Sequence, residues 1–128
     1  MKKLLIVLIV VLLASCDLLL EENFEDNPIY FDVLGYNDYY NGDCIALKMD
    51  IHNNTGHTVT HIRPEVELTY TSGSTQTFYP DIYTSLASGD VAYSQWVGIA
   101  CGSVWYSDHE FGKILYWDNE GNMYSFDY

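Results

Sequence analysis

Positive charge is what this sequence has least of. Its 128 residues carry five Lys and Arg against 18 Asp and Glu, a formal net charge of −13. Two of the five bases, Lys2 and Lys3, precede an apolar run; beyond it only Lys48, Arg63 and Lys113 remain. Such a surface repels nucleic acid and anionic lipid headgroups, which removes both as expected partners. Proline is also scarce, at positions 28, 64 and 80, and cysteine occurs only at 16, 44 and 101. Three cysteines are too few for a disulfide-stapled scaffold or a cysteine-rich metal site. Apolar runs long enough to cross a bilayer are missing: the longest, residues 4–14, has eleven residues where a spanning helix needs about 20. Helical periodicity is absent after Cys16, and no nucleophile stands beside a base in a recognisable catalytic pattern, so no enzyme activity is expected.

What is present begins at the amino terminus. Lys2 and Lys3 form a basic head, residues 4–14 an apolar core, and Ala14 and Ser15 a small-residue exit, which is the layout of a secretory signal. Carrying the helix on through Leu20 would bury Asp17 in hydrocarbon at a cost of about 3 kcal/mol. Leu13-Ala14-Ser15-Cys16 resembles the lipobox of bacterial lipoproteins. The resemblance implies a diacylglycerol on the Cys16 sulfur, cleavage before Cys16, and acylation of the new amino terminus. Each buried methylene then adds about 0.8 kcal/mol, so several chains hold firmly where one holds weakly. Cleavage leaves all 18 acids and three bases, a formal charge of −15.

Three segments follow: a signal peptide over residues 1–15, expected as a helix, an acidic tether over 16–27, and a folded part over 28–128. The tether is rich in Asp and Glu and has no base. Asp17 just after the Cys resembles an inner-membrane retention signal of some double-membraned bacteria. An acidic stretch there resembles a surface-export signal of others, and a plain spacer explains it equally.

The folded part reads as strands. Residues 29–34 follow Pro28 and suit an edge. Residues 35–43 read as a loop, with Asn41-Gly42 as a turn. Residues 44–53 alternate, with Ile45, Leu47, Met49 and Ile51 on one side. After Asn53-Asn54-Thr55-Gly56, Ile62, Pro64, Val66, Leu68 and Tyr70 alternate with Arg63, Glu65, Glu67 and Thr69. Pro64 there suggests an exposed edge or a bulge. Residues 75–79 form a further piece that Pro80 ends. Residues 85–90 form a loop, and residues 91–97 alternate again. Residues 104–106 make a short strand, and residues 113–117 and 122–126 flank a closing turn at Asp118-Asn119-Glu120-Gly121.

Seven or eight short strands with turns between them predict an all-β fold, an Ig-like antiparallel β-sandwich. The two alternating strands, the Asn-Asn-Thr-Gly turn, the Ser-Gly-Ser turn and the Leu86-x-x-Gly89-Asp90 loop resemble the small Ig-like domains of bacterial envelope lipoproteins, such as the FxLYD type, over residues 44–98. That resemblance implies a binding or structural module. An antibody-type core is not matched: no Trp follows Cys44 in its strand, and Ile99 stands two before Cys101.

Cys44 and Cys101 lie 57 apart. They suit a bridge between the two sheets near one end of the sandwich, or two buried thiols. Cys101-Gly102-Ser103-Val104-Trp105 departs from the papain-type run, because Val104 replaces the nucleophile and no His follows at the needed distance. His109-Glu110-Phe111-Gly112-Lys113 lacks the second His of a zinc helix. His52, His57 and His61 would approach one another only on a hairpin, without a Cys or carboxylate to complete a metal set, and residues 118–122 lack the EF-hand spacing. No metal or cofactor is expected. Trp96, Trp105 and Trp117 fit core filling and cross-strand pairing better than a binding platform. Tyr36, Tyr39 and Tyr40 in the Asn- and Gly-rich loop are the candidate binding aromatics. The sequence therefore predicts a non-catalytic lipoprotein of the bacterial envelope, membrane-attached through Cys16, that binds a protein partner or serves as a structural module of an envelope assembly. A carbohydrate- or solute-binding module using exposed aromatics is the alternative.

Overall fold

Period-two alternation makes one face of a strand apolar, and two such faces bury each other. A computed structural model describes residues 24–39, 44–101 and 106–128. Cys16, Tyr40, Trp105, the signal segment and most of the tether lie outside the described residues. The eight strands are β1 (Ile29–Tyr39), β2 (Cys44–Asn53), β3 (Val59–Tyr70), β4 (Thr75–Phe78), β5 (Ile82–Leu86), β6 (Val91–Cys101), β7 (Tyr106–Asp118) and β8 (Met123–Asp127). No helix among the described residues is long and apolar enough to cross a membrane.

One sheet has the order β1-β2-β6; the other has β4-β3-β7-β8, with β5 also paired to β3. Every pairing is antiparallel. This is the Ig-like arrangement of an A-B-E sheet on a C-F-G sheet, with β4 and β5 lying beside β3. The alternating residues of β2 and β3 supply the core: Leu47, Met49, Ile51, Ile62, Val66 and Leu68 are all buried.

Two prolines shape the edge beside β3. Val66 pairs with Phe78 in β4, and Ile62 pairs with Ile82 in β5. Extending either register sets Pro64 opposite Pro80. Neither has an N–H, so the ladder breaks there and one edge strand becomes two. Pro64 is not on an edge, as the sequence allowed. It is buried in a central strand, beside an irregularity in the β3–β7 register between Pro64 and Val66, in keeping with the bulge reading.

The turn at residues 53–56 and the loop that ends in Gly89-Asp90 are bonded to each other. Asn53 N–H donates to the Asp90 carbonyl, and Gly89 N–H donates to the Asn53 carbonyl. Gly89 sits at φ +82°, where a Cβ would be strained. The fully buried Asn53 amide donates to the His57 and Leu86 carbonyls, 2.8 Å each, and its Oδ1 accepts from the Thr55 N–H and hydroxyl. Ser88 Oγ adds a bond to the Thr55 carbonyl. One amide thus ties the end of β2 to the start of β3 and the end of β5.

Cys44 and Cys101 form a disulfide. It lies within one sheet rather than between the two, because Cys44 and Cys101 are direct register partners of β2 and β6. Before β1, a short 3-10 turn, Phe24–Asp26, lies against the domain: Phe24 stacks on Tyr128, and Asn54 Nδ2 donates to the Glu25 and Asn27 carbonyls.

Candidate functional site

The outward face of the β4-β3-β7-β8 sheet carries a row of stacked rings. His61 in β3 is the register partner of Tyr83 in β5 and of Trp117 in β7, and Trp117 is that of Met123 in β8. The His61 ring lies 4.5 Å from Tyr83 at 18° and 4.2 Å from Trp117 at 13°. Strand pairing brings the three together, since residues opposite each other on one face stand about 5 Å apart.

Charge borders the row. Asp81 Oδ1 accepts from Arg63 Nε and from His61 Nε2, 2.8 Å each, and the Arg63 guanidinium lies 5.7 Å from the Trp117 ring. The Arg63 hydrogen bond, followed by that of His61, holds the Asp81 carboxyl below its ordinary range. Tyr83 is 75% exposed, and Tyr79 and Met123 are exposed too. Aromatic rings fixed by stacking and a guanidinium fixed by a carboxylate give a preorganised surface. Tyr, Trp and Arg are the residue types that carry most interface energy.

The other sheet's outward face is different. Lys48 Nζ lies 5.7 Å from the ring of its register partner Trp96. Next to Trp96, the row Asn37, Ala46 and Gly98 has almost no side-chain bulk, which leaves a shallow depression of about 380 Å³. Trp96, 54% exposed, forms its wall.

Several expectations change. Tyr36 and Tyr39 belong to β1, not to a loop. The strand passes a bulge between Val33 and Gly35 and keeps pairing with β2, Tyr36 to Leu47 and Tyr39 to Cys44. Tyr36 is exposed at 53%. Of core filling and cross-strand pairing, the two roles that suit the tryptophans, Trp117 takes the second: it stacks on its cross-strand partner His61 in the outward row. His52, His57 and His61 are kept apart, because β2 and β3 lie in different sheets and form no hairpin. His52 packs on Tyr30, and His57 stacks on Tyr124. No group of three His, Cys, Asp or Glu among the described residues is placed to hold a metal. His109 to Lys113 lie in strand β7, where successive side chains point to opposite faces.

Asp118 serves the β7–β8 turn. Its Oδ1 accepts from the Glu120 and Asn122 N–H groups, and its Oδ2 from Asn122 Nδ2 and the Tyr124 hydroxyl, all within 3.1 Å. Burial works to raise its pKa. The hydrogen bonds outweigh it, led by that of the Asn122 backbone, so the carboxyl titrates below its ordinary range.

Comparison with protein-family models, with curated proteins and with solved structures finds no match to this chain. The functional reading rests on the residues themselves. His61 as the centre of a ring stack was not seen in the sequence. The usable signal was the shared parity of His61 and Arg63 on a strand whose other face is apolar.

Proposed function

We propose that this chain is a non-catalytic lipoprotein of the bacterial envelope, anchored through lipid on Cys16, whose Ig-like domain binds a protein partner. The observation that carries the binding reading is the outward row Tyr83, His61 and Trp117 with Arg63 beside it. An ordered row of aromatic rings with a fixed guanidinium beside it suits a protein face, because Tyr, Trp and Arg are the residue types enriched at such interfaces. The lipobox residues and the acidic tether support the anchoring.

The depression beside Trp96 supports the second reading, a carbohydrate or small-solute module, because an exposed indole next to an amide and a bare floor suits a sugar ring.

The test is mild crosslinking in membranes followed by capture of the full chain. The wild type yields a defined partner band. The double substitution Tyr83→Ser with Arg63→Ser reduces its yield about tenfold or more, as loss of two anchors predicts, while Trp96→Ser leaves it unchanged. Loss with Trp96→Ser and retention with the double substitution would move the site to the other sheet and favour the second reading.

A further inference from the structure

A cleft of about 410 Å³ opens between the edge strand β1 and β7, and no residue of the outward ring row lines it. Its volume falls in the range of small-molecule sites. Its walls are aromatic. Phe31 lies 4.8 Å from Phe111 and 5.8 Å from Tyr128, Phe111 lies 5.2 Å from Tyr128, and Phe24 stacks on Tyr128 at 5.1 Å. The rings are held in place. Tyr128 OH accepts from Phe31 N–H at 3.0 Å and donates to the Phe31 carbonyl at 3.2 Å, so the phenol clasps the free side of β1.

The charge in the cleft has one sign. Asp32 from β1 and Glu110 from β7 line it. His109 also lines it, and burial holds that imidazole below its ordinary pKa against the opposing pull of Asp108, so at neutral pH it brings no competing positive charge. Burial, with added repulsion from Tyr30 and Asp32, pushes the Tyr128 phenol up to about 12 despite the Phe31 backbone hydrogen bond that lowers it, so the clasp stays protonated. Ring faces carry negative quadrupole charge and attract cations, most strongly where water is partly excluded. Two carboxylates at the rim add Coulomb attraction, and the −15 mature chain draws cations towards the whole molecule.

We propose that this cleft binds an organic ammonium ion, an amine bearing apolar substituents whose cationic centre sits between the rings and the two carboxylates. A neutral molecule of the same shape gains only the apolar contact, and an anion is repelled.

The experiment titrates the full chain, in a maltoside detergent, with choline chloride and separately with 3,3-dimethylbutan-1-ol, the neutral carbon isostere. Ring resonances of labelled Phe and Tyr report the binding. Choline should shift the Phe111 and Tyr128 resonances saturably, and the isostere should bind about tenfold more weakly or worse. Asp32→Asn with Glu110→Gln should weaken choline by a similar factor while leaving the ring spectrum of the free protein in place. Equal binding of the isostere, no saturable shift with millimolar choline, or shifts confined to rings outside the cleft would overturn the proposal. The first two of these need no variant.

Discussion

Replacing Cys44 and Cys101 together with alanine lowers the unfolding free energy by about 4 kcal/mol. The bridge closes a 57-residue loop, and in the chain-entropy model a loop of that size restricts the unfolded ensemble by about that amount. The loop holds β2 to β6, so its closure brings together much of the domain in one step. With a urea m-value of about 1.5 kcal/mol/M for a domain this size, the midpoint falls by about 2–3 M. Reduction of the wild type with dithiothreitol gives the same midpoint as the double substitution. A shift under about 0.5 M, or two thiols reacting in denaturant without reductant, contradicts the bridge.

Asn53→Asp is the second large effect, about 3–5 kcal/mol at neutral pH. The change swaps one NH2 for one oxygen and leaves shape almost untouched. The Asn53 Nδ2 donates to the His57 and Leu86 carbonyls from a fully buried position. A carboxylate there faces two carbonyl oxygens with no donor, and it is desolvated. The folded-state pKa of the new acid must then lie above its unfolded value near 3.9. A group shifted upward favours the folded state when protonated, so the variant recovers stability as pH falls towards 4 and loses it as pH rises through the raised pKa. Thermal or urea unfolding of the variant at pH 4 and pH 7 reads both effects. Wild-type stability at pH 7 contradicts the role given to the amide.

The same positions show what the sequence makes legible. β2 from Leu47 onward and β3 from Ile62 onward alternate, and their inward residues are readable; Val59, buried on the opposite parity, is not, because the β3 register shifts between Val59 and His61. β6 departs from its pattern. Residues 91–97 read as one unbroken alternation, but Ser94 sits at φ +53°, the β2–β6 register slips between Met49 and Ile51, and Asp50 Oδ1 accepts the Ser94 N–H. The inward residue is Ala92 before the slip and Val97 after it, so parity changes within one strand. A non-glycine bulge leaves no mark in a pattern of apolar and polar letters. β1 was cut short for a related reason: Gly35 and the Asn and Asp that follow look like a turn, yet β2 supplies hydrogen-bond partners through Tyr39. β7 runs unbroken from Tyr106 to Asp118 because β3 pairs with nearly all of it, although its own residues read as two pieces. The outward ring row was hidden because it needs partners from three strands, and pairing across a sheet is a long-range property. The Asn53 hub was half visible. Its turn was readable, but the carbonyl it holds in Leu86, 33 residues on, was not.

The anchor is the claim on which location and biological setting depend, and intact mass spectrometry of the mature chain from the membrane fraction tests it most directly. The account predicts a chain that begins at Cys16, with residues 1–15 removed and a diacylglyceryl thioether on its sulfur. A chain that begins at Met1, or one with an unmodified Cys16 thiol recovered in the aqueous fraction, contradicts it.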